Sequence, residues 1–244
     1  MLSTLPTTVA ASTATKAATP RRQVLFALAL LLGAPAFAQT QPGLYDPEPP
    51  ANSAYVRVVH ASSEGAIEVL VDGKARISSV ARGSASDYMV LPAGNHQLEI
   101  RQGGKSRVSI PLEAQGAHAL TLAFTSLAGN SKPLSFEDKT IANKLKATLT
   151  VYHLHPGFDN VDIVTADGKL TVFPALASGG TAVRAVNPIA IELVANKSGT
   201  QLPMARTQLS LTQGGSYSIF LLPDSGGKLI ANSQQNKVER YTGK

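Results

Sequence analysis

The chain has 244 residues, a formal net charge of +6 and no cysteine. The lack of cysteine excludes disulfides and a lipid-modified cysteine, so the fold must rest on its hydrophobic core. The basic side chains form no stripe interleaved with aromatic residues, which argues against a nucleic-acid-binding protein.

The first 38 residues are typical of a secretory signal peptide. Arg21 and Arg22 precede an apolar run over 24–32, and Ala36-Phe37-Ala38 follows as a small-residue cleavage site. The run is shorter than the about 20 residues that a membrane-spanning helix needs. We therefore expect export, by the Sec or the twin-arginine route, with cleavage near Ala38. The mature chain is not expected to span the membrane.

An extended, proline-rich arm over 39–53 follows the signal peptide. Three prolines within residues 47–50 restrict the backbone and remove hydrogen-bond donors. Such an arm either adds to a sheet edge or a groove of a partner, or is a spacer. Its candidate partner contacts are Leu44, Tyr45 and Asp46.

The rest of the chain is a tandem repeat of two β-rich units. Val58-Val59-His60 recurs as Val151-Tyr152-His153, and Asp72-Gly73-Lys74 recurs as Asp167-Gly168-Lys169. Each Asp-Gly pair is flanked by β-formers and indicates a hairpin turn. The strands predicted for the first unit are 54–60, 67–71, 74–77, 87–91, 96–101, 107–112 and 118–124. Those of the second unit are 147–153, 161–166, 170–173, 180–186, 189–195, 207–211 and 216–222.

This pattern predicts an all-β fold of two tandem homologous small β-sandwich domains, each with about seven antiparallel strands. The domains are expected over 54–126 and 147–225. A polar linker over 127–146 joins them, with Phe136 packed on a neighbouring surface, and a flexible tail over 226–244 ends the chain.

Arg57 stands out as a charge among β-branched residues in the first predicted strand. Such an arginine is either paired within the sheet or a contact for another molecule. It is therefore a further candidate partner contact, beside the three residues of the arm.

Few residues suggest catalysis, a metal or a cofactor. His153 and His155 would face one side of a strand, but no third ligand is evident, so we expect neither a metal nor a cofactor. The segment Asp224-Ser225-Gly226-Gly227 resembles a nucleophile loop, but no histidine base is indicated nearby, and a polar turn is favoured. The chain has no tryptophan, which weakens the case for sugar stacking.

The order of motifs resembles one known family. Leu44-Tyr45, Pro47, Pro50 and the run Tyr55-Val56-Arg57-Val58 resemble the start of AlgF, the periplasmic accessory protein of alginate O-acetylation. The segments 165–169 and 187–189 resemble the second domain of that family. Each half also resembles a small secreted β-sandwich domain of unknown function.

This resemblance implies a non-catalytic adaptor that is located in the periplasm and is required for the O-acetylation of an exopolysaccharide. Its implied partners are periplasmic and membrane-associated O-acetyltransferase proteins, and an anionic polysaccharide is a further candidate. The alternative is a pair of carbohydrate-binding modules that presents the polymer, alginate or acetylated cellulose, to those enzymes. A third hypothesis is a hydrolase or transferase that uses Ser225 or a nearby serine, which includes a direct acetyltransferase role.

Overall fold

The computed structural model describes residues 47–158 and 160–243, and its regular structure is β-strand throughout. The predicted signal peptide and the arm residues Leu44, Tyr45 and Asp46 lie outside the described residues. In the described part of the chain, no helix is long and apolar enough to cross a membrane.

The first sandwich consists of eight strands in two four-stranded sheets. They are β1 (Ala54–His60), β2 (Ile67–Val71), β3 (Lys74–Val80), β4 (Met89–Leu91), β5 (Gly94–Gln102), β6 (Lys105–Ala114), β7 (Ala119–Phe124) and β8 (Leu134–Asp138). One sheet has the order β4-β1-β7-β8 and the other has the order β3-β2-β5-β6. Strands β1 and β7 are parallel, and the other neighbours are antiparallel.

The second sandwich repeats this arrangement. Its strands are β9 (Ala147–His153), β10 (Asn160–Thr165), β11 (Thr171–Ala177), β12 (Thr181–Val186), β13 (Ala190–Lys197), β14 (Pro203–Ser210), β15 (Ser216–Pro223) and β16 (Leu229–Gln235). The sheet orders are β12-β9-β15-β16 and β11-β10-β13-β14, with β9 and β15 parallel. The predicted all-β tandem sandwich is confirmed, with eight strands per domain instead of seven and one parallel pair in each.

The last strand of each sandwich was not predicted from the sequence. Strand β8 lies in the segment assigned as a polar linker, and β16 lies in the segment assigned as a flexible tail. Both strands are rich in polar residues because each has few side chains turned towards apolar surface. Phe136 is the buried side chain of β8, and its ring meets that of Tyr152 edge-on at 5.3 Å.

The central strands are buried on both faces. Val56 and Val58 of β1 lie in the core of their own sandwich, whereas Val59 faces the second sandwich. Likewise, Val151 of β9 lies in its own core and Tyr152 faces the first sandwich. Because both faces are covered, the positions that alternate with the core residues are also shielded from solvent, including those of Arg57 and Thr150.

The sheets β4-β1-β7-β8 and β12-β9-β15-β16 pack against each other and form a third apolar core. Each sandwich alone is close to the lower size limit of a disulfide-free domain, so this shared core adds burial that neither has by itself. Its buried members are Val59, Ala61, Ala123, Phe136, Tyr152, Leu154, Phe220 and Leu222.

Beyond β16 the chain crosses back to the first sandwich. Residues 236–239, here named the strap, run parallel to the outer edge of β4. The Tyr88 N–H donates to the Lys237 carbonyl at 2.8 Å, and the Glu239 N–H donates to the Tyr88 carbonyl at 2.9 Å. The Glu239 carboxylate also pairs with Arg76 of β3. The strap therefore ties the end of the second sandwich to the first.

Candidate functional site between the two sandwiches

The guanidinium of Arg57 lies at the centre of the contact between the sandwiches and has no exposed surface. Its Nε donates to Thr121 Oγ1 at 2.8 Å, within its own sheet. Its Nη2 donates to Tyr152 OH and to Ser218 Oγ of the second sandwich, each at 2.9 Å. Its Nη1 donates to Asn236 Oδ1 of the strap at 2.7 Å. One side chain thus joins both sandwiches and the strap.

Three aromatic rings surround the same guanidinium. Its Cζ lies 4.5 Å from the ring centre of Tyr88, 5.5 Å from that of Tyr152 and 5.6 Å from that of Phe220. Cations are attracted to the faces of aromatic rings, and more strongly where water is excluded. The rings therefore add to the hydrogen bonds in compensating the desolvation of Arg57.

Asp138, at the end of β8, balances this buried charge without touching it. Its Oδ2 accepts from Tyr88 OH at 2.8 Å and from Thr121 Oγ1 at 2.5 Å, and its Oδ1 accepts from Tyr152 OH. Thr121 and Tyr152 each accept from Arg57 and donate to Asp138. The two hydroxyls therefore relay the interaction between the positive and the negative group.

The two phenols remain protonated donors at neutral pH. Burial raises the pKa of Tyr152 to about 12, with Arg57 opposing and Asp138 adding to the shift. Burial likewise raises the pKa of Tyr88 far above its ordinary value. Because both hydroxyls keep their protons, neither is suited to act as a base at neutral pH.

A pocket of about 290 Å³ opens beside this cluster. Tyr55, Tyr88 and Tyr152 line it, together with Asp138 and Lys237. Its volume is at the lower end of the range for small-molecule sites. Because the hydroxyls of Tyr88 and Tyr152 already donate to Asp138, the pocket offers mainly aromatic surface.

The histidines considered from the sequence are engaged in local structure. His155 Nδ1 accepts from the Gly157 N–H and its Nε2 bonds the Gly227 carbonyl, both at 2.9 Å. His153 is fully buried, and its Nε2 has no hydrogen-bond partner among the residues that the structure describes. Burial, with His155 nearby, lowers the pKa of His153 to about 4. Among the described residues, no group of three His, Cys, Asp or Glu side chains is placed to hold a metal.

The segment that resembles a nucleophile loop forms a turn after β15. Asp224 Oδ1 accepts from the Gly226 N–H at 2.7 Å and from the Lys228 N–H at 2.8 Å. The bond from Lys228 contributes most to holding the pKa of Asp224 below its ordinary value. The nearby ring of His155 is held by Gly157 and Gly227. The carboxylate and the imidazole are therefore both engaged by backbone groups and not by Ser225.

A second, larger groove lies on the outer face of the second sandwich. It has a volume of about 560 Å³, and Asp162, Asp167, Asn196 and Arg206 lie along it. Asn196 Oδ1 is buried and has no hydrogen-bond partner within 47–158 and 160–243. The described tyrosines are absent from this groove, so no row of aromatic rings is available here for sugar stacking.

Of the residues that surround the buried guanidinium, only Arg57 itself was named from the sequence as a candidate contact. The side chains that bond it were not identified. Arg57 bonds within its sheet and across to the second sandwich; its contact with a separate protein stays a prediction. Asp138 and Asn236 were placed in a linker and a tail. Tyr152 stood out only as part of the repeat. A signal for it was present, because a large tyrosine replaces Val59 at the equivalent position.

The fold and the interface define a class of protein, a tandem β-sandwich whose two domains share a buried core and a buried polar cluster. A family model described as "Alginate O-acetyl transferase AlgF" matches residues 27–217. The chain belongs to the AlgF family.

Known relatives are similar over most of the chain. The alginate biosynthesis protein AlgF of Pseudomonas putida is 28% identical over 198 residues, covering 80% of this chain and 84% of the relative. That of Pseudomonas aeruginosa is 30% identical over 205 residues, covering 83% and 88%. The solved C-terminal domain of AlgF from P. aeruginosa is 24% identical, with a TM-score of 0.31, and covers 38% of this chain and 100% of that domain.

Proposed function

We propose that this protein is a non-catalytic periplasmic adaptor that is required for O-acetylation of an exopolysaccharide, alginate or an alginate-like polymer. In this role it links the periplasmic and membrane-associated acetyltransferase components. The observation that carries the proposal is the match to the AlgF family over residues 27–217, together with relatives named as alginate biosynthesis proteins.

The contact between the sandwiches supports an adaptor role. Domains joined in one chain usually move relative to each other unless their interface is large and apolar. Here a shared apolar core and the bonds of Arg57 hold both sandwiches together. The outer sheets β3-β2-β5-β6 and β11-β10-β13-β14 then face away from this contact at fixed positions. Two separate surfaces in a fixed geometry are what a protein needs to hold two partners.

The state of the candidate catalytic groups supports a non-catalytic role. A serine nucleophile needs a base within hydrogen-bond reach. Around Ser225, the carboxylate of Asp224 closes a turn, and the ring of His155 bonds Gly157 and Gly227. The phenols of Tyr88 and Tyr152 are donors held by Asp138.

One observation favours the carbohydrate-binding alternative. Polar side chains lie along the groove on the outer face of the second sandwich and offer hydrogen-bonding groups to the hydroxyls and carboxylates of a sugar chain; they are Asp162, Asp167, Asn196 and Arg206. Titration of the purified protein with alginate oligosaccharides, followed by the amide resonances of residues along the groove, tests this second function. Arg206→Ala should weaken any shifts that arise there.

The adaptor role is tested by deleting the gene and then restoring it. We expect the deletion to remove O-acetyl groups from the exopolysaccharide while the polymer yield is retained, and the restored gene to return them. Affinity purification of the tagged protein from the periplasm should recover acetyltransferase components. Unchanged acetylation after deletion would disprove the proposed function.

A Ser225→Ala variant separates an adaptor from an enzyme. We expect it to restore acetylation fully, because its backbone turn is held by Asp224 and not by the serine hydroxyl. Loss of acetylation in cells that contain normal amounts of the variant would favour a direct acetyltransferase role. Cell fractionation and N-terminal sequencing of the same protein test export and cleavage near Ala38.

A further inference from the structure

The internal repeat allows the edges of the two sandwiches to be compared strand by strand. Strands β4 and β12 occupy the same end of equivalent sheets. Met89 of β4 is paired with Val56 of β1, and Arg184 of β12 is paired with Leu149 of β9. In an antiparallel pair, residues whose backbone groups bond the partner strand alternate with residues whose backbone groups point away from it. Met89 and Arg184 are of the first kind, so the residues on either side of each direct their backbone groups outward.

At β4 these outward groups are occupied by the strap. The Tyr88 N–H and carbonyl bond Lys237 and Glu239 of the strap, at 2.8 and 2.9 Å. The Val90 N–H donates to the Glu239 carboxylate at 2.8 Å. Tyr88 and Val90 are both buried as a result, with 7% and 6% of their surface exposed. The chain itself therefore shows what covers this edge, an extended segment with an acidic side chain.

At β12 the equivalent groups are those of Val183 and Ala185. Within residues 47–158 and 160–243, no backbone hydrogen bond reaches β12 on the side away from β9. Ala185 is exposed, in contrast to its buried equivalent Val90. The outer edge of β12 is thus an uncovered version of the edge that the strap covers on β4.

Chain connectivity explains this difference. In the described residues after β16, the chain adds no further strand to the second sandwich and runs across to β4 as the strap. After β8 the chain must reach the start of β9 at Ala147, and residues 143–146 turn to do so. The segment that would be equivalent to the strap is therefore used as the connection between the domains.

Four of the other edge strands, β3, β6, β11 and β14, carry features that disfavour pairing with another chain. Pro111 lies in β6, Pro174 lies in β11, and β14 begins at Pro203. Strand β3 pairs with β2 through shifts in register. Proline and irregular register are common protections of sheet edges. Strand β12 has neither, since all six of its residues pair with β9 in regular register and none is proline.

The charge beside β12 also matches that beside β4. Arg76, next to β4, pairs with Glu239 of the strap. Arg184 of β12 is exposed and lies over the ring of Phe173, with its Cζ 5.9 Å from the ring centre. An extended segment with an acidic side chain would find a basic partner at both edges.

We propose that the outer edge of β12 binds an extended segment with an acidic side chain from a protein partner, which adds as a strand beside Val183 and Ala185. This inference rests on the proposed function, because the partner is an acetyltransferase component of the same machinery. Backbone hydrogen bonds would supply affinity, and Arg184 would select for the acidic side chain.

The test places a photo-crosslinking amino acid at position 185 in cells that produce the acetylated polymer. We expect cross-links to an acetyltransferase component, identified by mass spectrometry, with the cross-linked peptide in an extended segment. The same amino acid at position 202, which is exposed on a loop, is the control and should give none. Cross-links only between two copies of this chain, only within one chain, or to no protein would each overturn the proposal.

A matched pair of variants tests the hydrogen-bonding edge itself. Ala185→Pro removes an outward N–H, and proline is tolerated in an edge strand at such a position. Ala185→Thr keeps this N–H and favours a strand. We expect the proline variant to recover about tenfold less acetyltransferase component in affinity purification, and to lower polymer acetylation, while the threonine variant retains both.

Amide hydrogen exchange keeps the proposal testable if Ala185→Pro does not fold. In the unmodified protein alone, the amides of Val183 and Ala185 should exchange rapidly, whereas in the purified complex they should be protected. Protection in the protein alone would overturn the proposal. If gene deletion abolishes acetylation but the proline variant behaves normally, the edge inference fails while the proposed function stands.

Discussion

Replacement of Arg57 by methionine tests whether the buried guanidinium holds the two sandwiches together. Methionine is unbranched and of similar length, so Arg57→Met removes the charge and the donors while largely filling the space. The variant loses four hydrogen bonds, to Thr121, Asn236, Tyr152 and Ser218. It also leaves the carboxylate of Asp138 without a compensating positive charge.

The expected cost follows from this environment. Removing one charge of a buried ion pair destabilises a protein by about 3 to 5 kcal/mol, and the loss of Arg57, whose charge is linked to Asp138 through two hydroxyls, should fall at the lower end of that range. We expect a loss of this size in the free energy of unfolding, measured by urea denaturation with circular dichroism and tyrosine fluorescence, because the chain has no tryptophan. The loss should be accompanied by separation of one unfolding transition into two, since the domains lose their main polar contact.

The matched control is Arg206→Met. Arg206 is about half exposed, and its contact with Glu192 is 3.4 Å long, so its loss should change stability by no more than about 0.5 kcal/mol. If Arg57→Met cost as little as Arg206→Met, the guanidinium would not be holding the sandwiches together, and the reasoning would be refuted.

Three further changes probe the same interface and the buried histidine. Tyr152→Phe removes the hydroxyl between Arg57 and Asp138 and should cost about 2 kcal/mol, whereas half-exposed Tyr55→Phe should cost little. Ending the chain after Asn236 removes the backbone hydrogen bonds between the strap and β4 and should lower the free energy of unfolding by about 2 to 3 kcal/mol. A chain that ends after residue 241 is the control. Equal stability of the two shortened chains would contradict the role of the strap. Burial lowers the pKa of His153 to about 4, from 6.5, so the unfolded chain binds the proton more readily than the folded protein does. The contribution of this group to the free energy of unfolding is complete above pH 6.5, and about 2 kcal/mol of it should be lost near pH 4.5. His153→Gln should reduce this dependence of the free energy of unfolding on pH.

Local signals in the sequence were enough to predict the sandwiches. At the first Asp-Gly turn, Asp72 and Gly73 have φ values of 51° and 73°. These are the positive values that a two-residue hairpin of this type requires, and few residues other than asparagine, aspartate and glycine adopt them. Because the same dipeptide recurs at Asp167 and is again followed by lysine, the repeat is recognisable from local residue patterns alone.

The contact between the sandwiches could not be predicted in the same way. Asp138 and Asn236 lie in short polar segments that give only a weak strand signal, and both side chains bond partners in other strands. Arg57 and Asn236, for example, are 179 residues apart. Whether a polar residue in such a segment is solvated or buried depends on which surface covers it, and a local pattern contains no information on that surface.

The sequence nevertheless contained one indication of the contact between the sandwiches, in the positions at which the two repeats differ. Positions that face the core of their own sandwich keep their character, as Val58 and Val151 do. Positions that face the other sandwich differ, because Arg57 corresponds to threonine and Val59 corresponds to Tyr152. Two copies of one domain that pack face to face need complementary surfaces, so the facing positions must diverge while the core positions need not.

This divergence also bears on how the chain works as a unit. The groups that satisfy Arg57 come from its own sheet, from the second sandwich and from the strap, so a complete set exists only when all three are folded together. A buried charge without its partners is costly, and the docked arrangement is therefore favoured over two sandwiches that move independently. The same strap that completes this set covers the edge of β4 and leaves the equivalent edge of β12 open. The two domains, although repeats of one fold, therefore present different edges, and of these two equivalent edges only that of β12 offers an unprotected strand to another protein.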